Sequence, residues 1–325
     1  MKMVFSKLAA MAVFPWARLP LRTTFAAALV TVTAALLAAC GSSAPNGNSA
    51  TTAPECPTSP VSVVVTTNVW ASVVDQLVGS CANVSTVITN SSADPHDFEP
   101  TAETSASFAS AQLVVMNGLG YDEWATKIVK SLGNSAPPVL NLGDALGLKT
   151  GVNPHIWYSP DYVGKSAQAI TGQIKGVSPA PASYFATQAT TFATALKPYL
   201  AKVAAIKGQF NGTKIGATET VFDYMATATG LVITTPVGFI TAIANDSEPP
   251  AADVAAFRSQ LSNGTDRVLI YNSQTEGGLP NQMRETAEEN KVPIVNVTES
   301  LNPSDATFQA WQLAQLEALS SALSR

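Results

Sequence analysis

From residue 61 onward the chain repeats one pattern: a short apolar run, a turn, then a longer stretch with apolar positions three and four apart. Residues 61–67, Val-Ser-Val-Val-Val-Thr-Thr, form a nearly continuous β-branched run, as expected of a strand buried on both faces of a parallel sheet. The same reading predicts a helix over 68–77 stopping at Gly79, a strand over 84–89, and a helix to 111 capped by Thr101. Strands over 112–116 and 138–142 follow, with helices over 122–132 and 160–174. Ser-Pro-Ala-Pro-Ala-Ser at 178–183 breaks the pattern, and 184–207 then reads as one long helix, ~36 Å at 1.5 Å per residue, kinked by Pro198. Afterwards the alternation restarts. Strands are expected over 213–218, 267–272 and 294–297, an extended stretch over 231–237, and helices over 221–229 (ended by Gly230), 249–262, 280–289 and from 304 onward.

This is an α/β chain with mostly parallel sheets in two lobes joined by one long linking helix. The boundaries read as an N-terminal lobe at 55–179, the linking helix at 180–209 and a C-terminal lobe at 210–325. Ahead of them, residues 1–39 carry Lys2, Lys7, Arg18 and Arg22, no acidic residue, and an apolar run from 23 to 39, the pattern of a signal peptide. Met11 is a possible later start. The run ends in Leu37-Ala38-Ala39-Cys40-Gly41, which resembles a bacterial lipobox and makes Cys40 the expected lipidated residue. Residues 40–54 lack charge and large apolar side chains and read as a flexible tether.

Removing the four basic leader residues leaves 14 Lys+Arg against 23 Asp+Glu, a mature net charge of about −9. An exported acidic chain suits cations better than nucleic acid, which would ask for a basic stripe. Of the three cysteines, Cys56 and Cys81 remain beyond the lipobox, and in an oxidising compartment an even pair reads as a disulfide.

The chain has only two histidines, and both stand in Pro-His contexts: Asp94-Pro95-His96-Asp97-Phe98-Glu99-Pro100-Thr101 and Asn153-Pro154-His155-Ile156-Trp157. Proline stiffens the backbone on which each imidazole sits. If His96 and His155 bind a metal, further ligands must come from the second lobe, which has no histidine. There, Glu219 and Glu299 follow predicted strands, where ligands of open α/β sheets gather. Asp223, one helical turn beyond Glu219, competes with it. Trp124 and Trp157 read as core, and Glu99 as a group that orients backbone or a ring N–H.

Together these segments resemble the solute-binding lipoproteins of metal-importing ABC transporters, the zinc and manganese cluster often called TroA-like or ZnuA-like. The resemblance covers essentially the whole mature chain. Asn117-Gly118-Leu119-Gly120-Tyr121-Asp122-Glu123-Trp124 is similar to the family's segment after its third strand. Thr218-Glu219-Thr220 aligns with the third ligand and Val297-Thr298-Glu299-Ser300-Leu301 with the fourth, which is more often Asp. The resemblance implies a zinc or manganese ion as cargo, held by His96, His155, Glu219 and Glu299 between two lobes that move modestly. It also implies ABC permease and ATPase partners, and a monomer anchored by lipid outside the cytoplasm. Two other functions fit the sequence less well. A zinc hydrolase lacks His-Glu-x-x-His and an open coordination position, and a surface adhesin lacks an exposed repeat or aromatic stripe.

Overall fold

The computed structural model describes residues 55–89, 95, 98–245, 247–274 and 277–325, all within one compact unit. The signal peptide, Cys40, the tether and His96 lie outside the described residues.

The first sheet contains β1 (Val61–Thr67), β2 (Ala82–Ile88), β3 (Leu113–Met116) and β4 (Val139–Asn141), in the order β2-β1-β3-β4 and parallel throughout. Between and after its strands run α1 (Asn68–Val78), α2 (Ala102–Ser110), α3 (Glu123–Leu132), the short α4 (Leu142–Ala145) and α5 (Pro160–Val177). Thr101 caps α2 as expected, accepting the Thr104 N–H in a reciprocal capping box.

The second sheet repeats the design with β5 (Lys214–Ala217), β6 (Val232–Ile233), β7 (Leu269–Asn272) and β8 (Ile294–Val297), parallel in the order β6-β5-β7-β8. With α6 (Ala182–Ala195) and α7 (Lys197–Phe210) leading into it, its helices are α8 (Asp223–Thr229), α9 (Val237–Ile243), α10 (Ala251–Ser262), α11 (Gly278–Glu289) and α12 (Phe308–Leu323).

Alternation along each strand sorts the core into layers. Val61, Val63 and Val65 of β1 and Leu113 and Val115 of β3 join the same apolar cluster as Ile215 and Ala217 of β5, Ile270 of β7 and Val297 of β8. The opposite face of the first sheet, through Val64, Val114 and Met116, packs on Phe108 of α2 and Trp124 and Ile128 of α3. Leu269 does the same for the second sheet, against Phe239, Phe257 and Met283. Both faces of both sheets are therefore apolar, which is why the strands read as continuous runs.

Three elements depart from expectation. The single long helix is two, α6 and α7, interrupted at Leu196, because Pro198 has no N–H to offer the Thr194 carbonyl and its ring crowds that group. The stretch over 231–237 is extended only at β6 and then enters α9, whose β-branched residues favour a strand but whose Phe239 packs edge-on against Phe257 at 5.0 Å. The last helix starts at Phe308, where the Thr307 side chain caps it, rather than at 304. Cys56 and Cys81 form the expected disulfide, which ties the segment ahead of β1 to the end of α1.

Candidate metal centre

The carboxyl ends of both sheets converge on a group of polar side chains. His155 follows β4 and α4 on a loop anchored from several sides. Asn117, at the end of β3, is fully buried, accepts the Trp70 indole N–H at 2.8 Å and donates to the Pro154 carbonyl at 3.0 Å. Asn117 is itself held by Asp122, a buried carboxylate that accepts the Asn117 and Gly118 N–H groups and the Thr66 hydroxyl. Burial raises the Asp122 pKa, and those three bonds work against the rise. This segment therefore builds the floor under His155.

The His155 ring is fixed by Asn153. Asn153 Oδ1 accepts the His155 backbone N–H at 3.0 Å and lies 2.8 Å from ring Nδ1, while Asn153 Nδ2 donates to the Thr220 carbonyl at 2.7 Å. Both neighbours with a fixed role orient the amide the same way, so Nδ1 carries a ring proton and Nε2 is the nitrogen left to take either a metal ion or a second proton. Asn153 Nδ2 also reaches Asp223 Oδ2 at 3.3 Å. Asp223, in the first turn of α8, thus braces the amide that orients His155.

Opposite His155 stands Glu299, just past β8. Its Oε2 is 3.4 Å from His155 Nε2 and accepts the Tyr121 hydroxyl at 3.1 Å; its Oε1 accepts Asn272 Nδ2 at 2.8 Å. Glu219 follows β5 in an extended conformation and is buried. Burial opposes protonation of His155, but Glu299, followed by Glu219 and Asp223, carries its pKa above the ordinary histidine value. Asp223 is raised by burial, against the Asn153 amide and the His155 ring.

Of the four expected ligands, then, His155 and Glu299 are brought together, and Glu219 acts on the same imidazole through its charge. His96 lies outside the described residues, and among the described residues no group of three or more His, Cys, Asp and Glu side chains is gathered closely enough to hold an ion. Trp124 and Trp157 are buried, as expected of core residues, whereas Glu99 is exposed. The residues that orient the donors, Asn153, Tyr121, Asn272 and Gln274, the last accepting the Glu299 backbone N–H, do not stand out in those roles from the sequence. Asn153 and Tyr121 lie inside recognised motifs. Asn272 and Gln274 carry only the faint signal of polar residues at a strand's carboxyl end.

Comparison with known proteins gives a consistent result. A family model described as zinc-uptake complex component A periplasmic, ZnuA, matches residues 63–322. The chain is 25% identical over 261 residues to the high-affinity zinc uptake system protein ZnuA of Bacillus subtilis, covering 73% of this chain and 76% of that protein. It is 23% identical over 248 residues to the zinc-binding lipoprotein AdcA of Streptococcus pneumoniae, covering 71% of this chain but 48% of AdcA, about half its length. Among solved structures, the Mn2+ complex of the solute-binding protein FpvC from Pseudomonas aeruginosa superposes with a TM-score of 0.68 at 20% identity, covering 82% of this chain and 98% of that one. At that identity the likeness speaks to the fold.

Proposed function

Because this chain belongs to the family of zinc-uptake complex component A periplasmic proteins, we infer that it captures a divalent transition-metal ion, zinc or manganese, for an ABC importer. Its ligands are His96 and His155 from one half of the molecule and Glu219 and Glu299 from the other. Two neutral imidazoles and two carboxylates balance a divalent charge, so the ion can shed its water and be held in a closed site. The chain acts as a binding protein rather than an enzyme, a monomer tethered outside the cytoplasm through lipidated Cys40, and hands its ion to permease and ATPase subunits.

The observation that carries this reading is the pairing of His155 Nε2 with Glu299 Oε2 at 3.4 Å, with Nδ1 already committed to Asn153. With metal–donor distances of about 2.0–2.2 Å, two atoms that far apart subtend roughly 110° at a shared ion, the tetrahedral angle preferred by zinc. The spacing of that nitrogen and one carboxylate oxygen is thus compatible with a shared ion, which supports the reading.

Isothermal titration of the mature protein with Zn2+ and Mn2+ tests the assignment. The expected result is one ion per chain, with binding severely weakened in each of His96→Ala, His155→Ala, Glu219→Ala and Glu299→Ala. Asp223→Ala should lose less, because Asp223 acts through Asn153. Unimpaired binding by His155→Ala would overturn the site, and a greater loss at Asp223 than at Glu219 would exchange those two residues.

A further inference from the structure

The two oxygens of Glu299 are not equivalent. Beyond β7 the chain turns through Asn272, Ser273 and Gln274. Asn272 is 1% exposed, and its Oδ1 accepts the Gln274 N–H at 3.1 Å. That bond turns the amide so that Nδ2 must point the other way, and it meets Glu299 Oε1 at 2.8 Å. Gln274 in turn accepts the backbone N–H groups of Glu299 and Ser300 at 2.6 and 2.9 Å, which fixes the main chain from which the carboxylate projects. Oε2 instead faces the other half of the molecule, toward Tyr121 and the His155 ring.

We propose that Asn272 is a positioning residue that withholds Oε1, makes Glu299 a one-oxygen ligand, and so tilts the site toward zinc and away from manganese. The proposal rests on the metal-capture reading above. Two-oxygen coordination would draw Oε1 round toward the ion and away from the Asn272 amide, which the Gln274 N–H holds in place, whereas the Tyr121 hydroxyl can rotate to stay on Oε2 while that oxygen also ligates. Zinc tolerates the restriction, since four donors in a tetrahedron satisfy it. Manganese prefers six-coordinate, oxygen-rich surroundings and loses more when a carboxylate offers one oxygen instead of two. The effect runs opposite to the one expected of a carboxylate at Glu219, which by itself favours the harder cation.

Two measurements test this. In wild-type protein, a crystal structure of the zinc-loaded form should show Glu299 bound through one oxygen. Competitive titration should then show Asn272→Ala, and the near-isosteric Asn272→Leu, lowering zinc affinity about tenfold while manganese affinity holds or rises, so that the zinc-to-manganese ratio falls about tenfold. A merely structural role would lower both affinities by the same factor, and an unchanged ratio in a variant with native circular dichroism overturns the proposal. Should both variants misfold, the zinc-loaded wild-type structure decides alone, and a two-oxygen Glu299 overturns it there. Wild-type protein that binds neither ion would remove the metal-capture reading and this inference with it. An ion bound with both Glu299 oxygens removes only the inference.

Discussion

The residues that would touch the ion are few, but each is held by a neighbour whose removal should be felt. Asn153 is the clearest case, because one amide fixes the tautomer of His155 and bridges to Thr220 and Asp223 across the site. Asn153→Ala should lower metal affinity about 10- to 100-fold without abolishing it, the range typical of a lost ligand-orienting partner. Competition against a chromophoric chelator would measure this, and an affinity equal to wild type would show that the ring is held in place without Asn153. The two histidines stood out in the sequence because histidine is so scarce here and both copies follow proline, whereas Glu219 and Glu299 were reached only from their places after predicted strands and from the family resemblance. Asn272 and Gln274 were not legible there. Their role exists only once β7 and β8 pair, register Asn272 with Val297, and bring residues 25 to 27 positions apart in sequence within a hydrogen bond of one another.

Among the elements, the parallel strands were the easiest to foresee, since a sheet covered on both faces leaves an unbroken apolar run that little else in a globular chain produces. Short helices were harder. Seven residues such as Val-Gly-Phe-Ile-Thr-Ala-Ile carry less than two turns of periodicity, and the burial of Phe239 against Phe257, which decides for α9, is tertiary. Glycine at a helix end is a more dependable signal. Gly230 closes α8 at φ 70°, and a Cβ there would meet the Asn211 side chain, so two penalties coincide. Gly230→Ala should cost about 1–2 kcal/mol from the left-handed conformation, before any contribution from displacing Asn211. A urea transition with a lowered midpoint and an unchanged slope is the expected signature. An unshifted midpoint would mean that α8 can end in another conformation.

At the scale of the whole molecule, the apolar cluster does not stop where one sheet ends and the other begins. Hydrogen bonds cross the same boundary: Leu301 N–H to Asn68 Oδ1 at 3.2 Å, Phe308 N–H to Ser72 Oγ at 2.9 Å, and the Tyr158 hydroxyl to the Thr298 carbonyl at 2.7 Å. Halves joined in this way should unfold together, as one heat-capacity peak with matching calorimetric and van't Hoff enthalpies. A ligand that binds only the folded state, at about 100 times its dissociation constant, adds about 2.7 kcal/mol, or roughly 5 °C of Tm for a chain of this size. Acid should act in opposite directions on the two forms. Without metal, the raised His155 pKa means that its proton stabilises the fold; this contribution is complete below the unfolded histidine pKa of about 6.5 and is lost as pH rises through the folded value. The burial-raised Asp223 carboxyl also gains from protonation, so neither group should lower the metal-free Tm as pH falls. The ion, by contrast, must displace the imidazole proton, so its stabilisation is complete above the folded pKa and shrinks below it, by about a decade of affinity per pH unit for each histidine. Calorimetry with and without Zn2+ between about pH 8 and pH 6, at fixed ionic strength, should therefore show the metal-induced increment closing while the metal-free Tm holds or rises. An increment that stayed constant across that interval would remove His155 from the ligand set, because no carboxylate ligand takes up protons in that window unless its pKa is raised by several units.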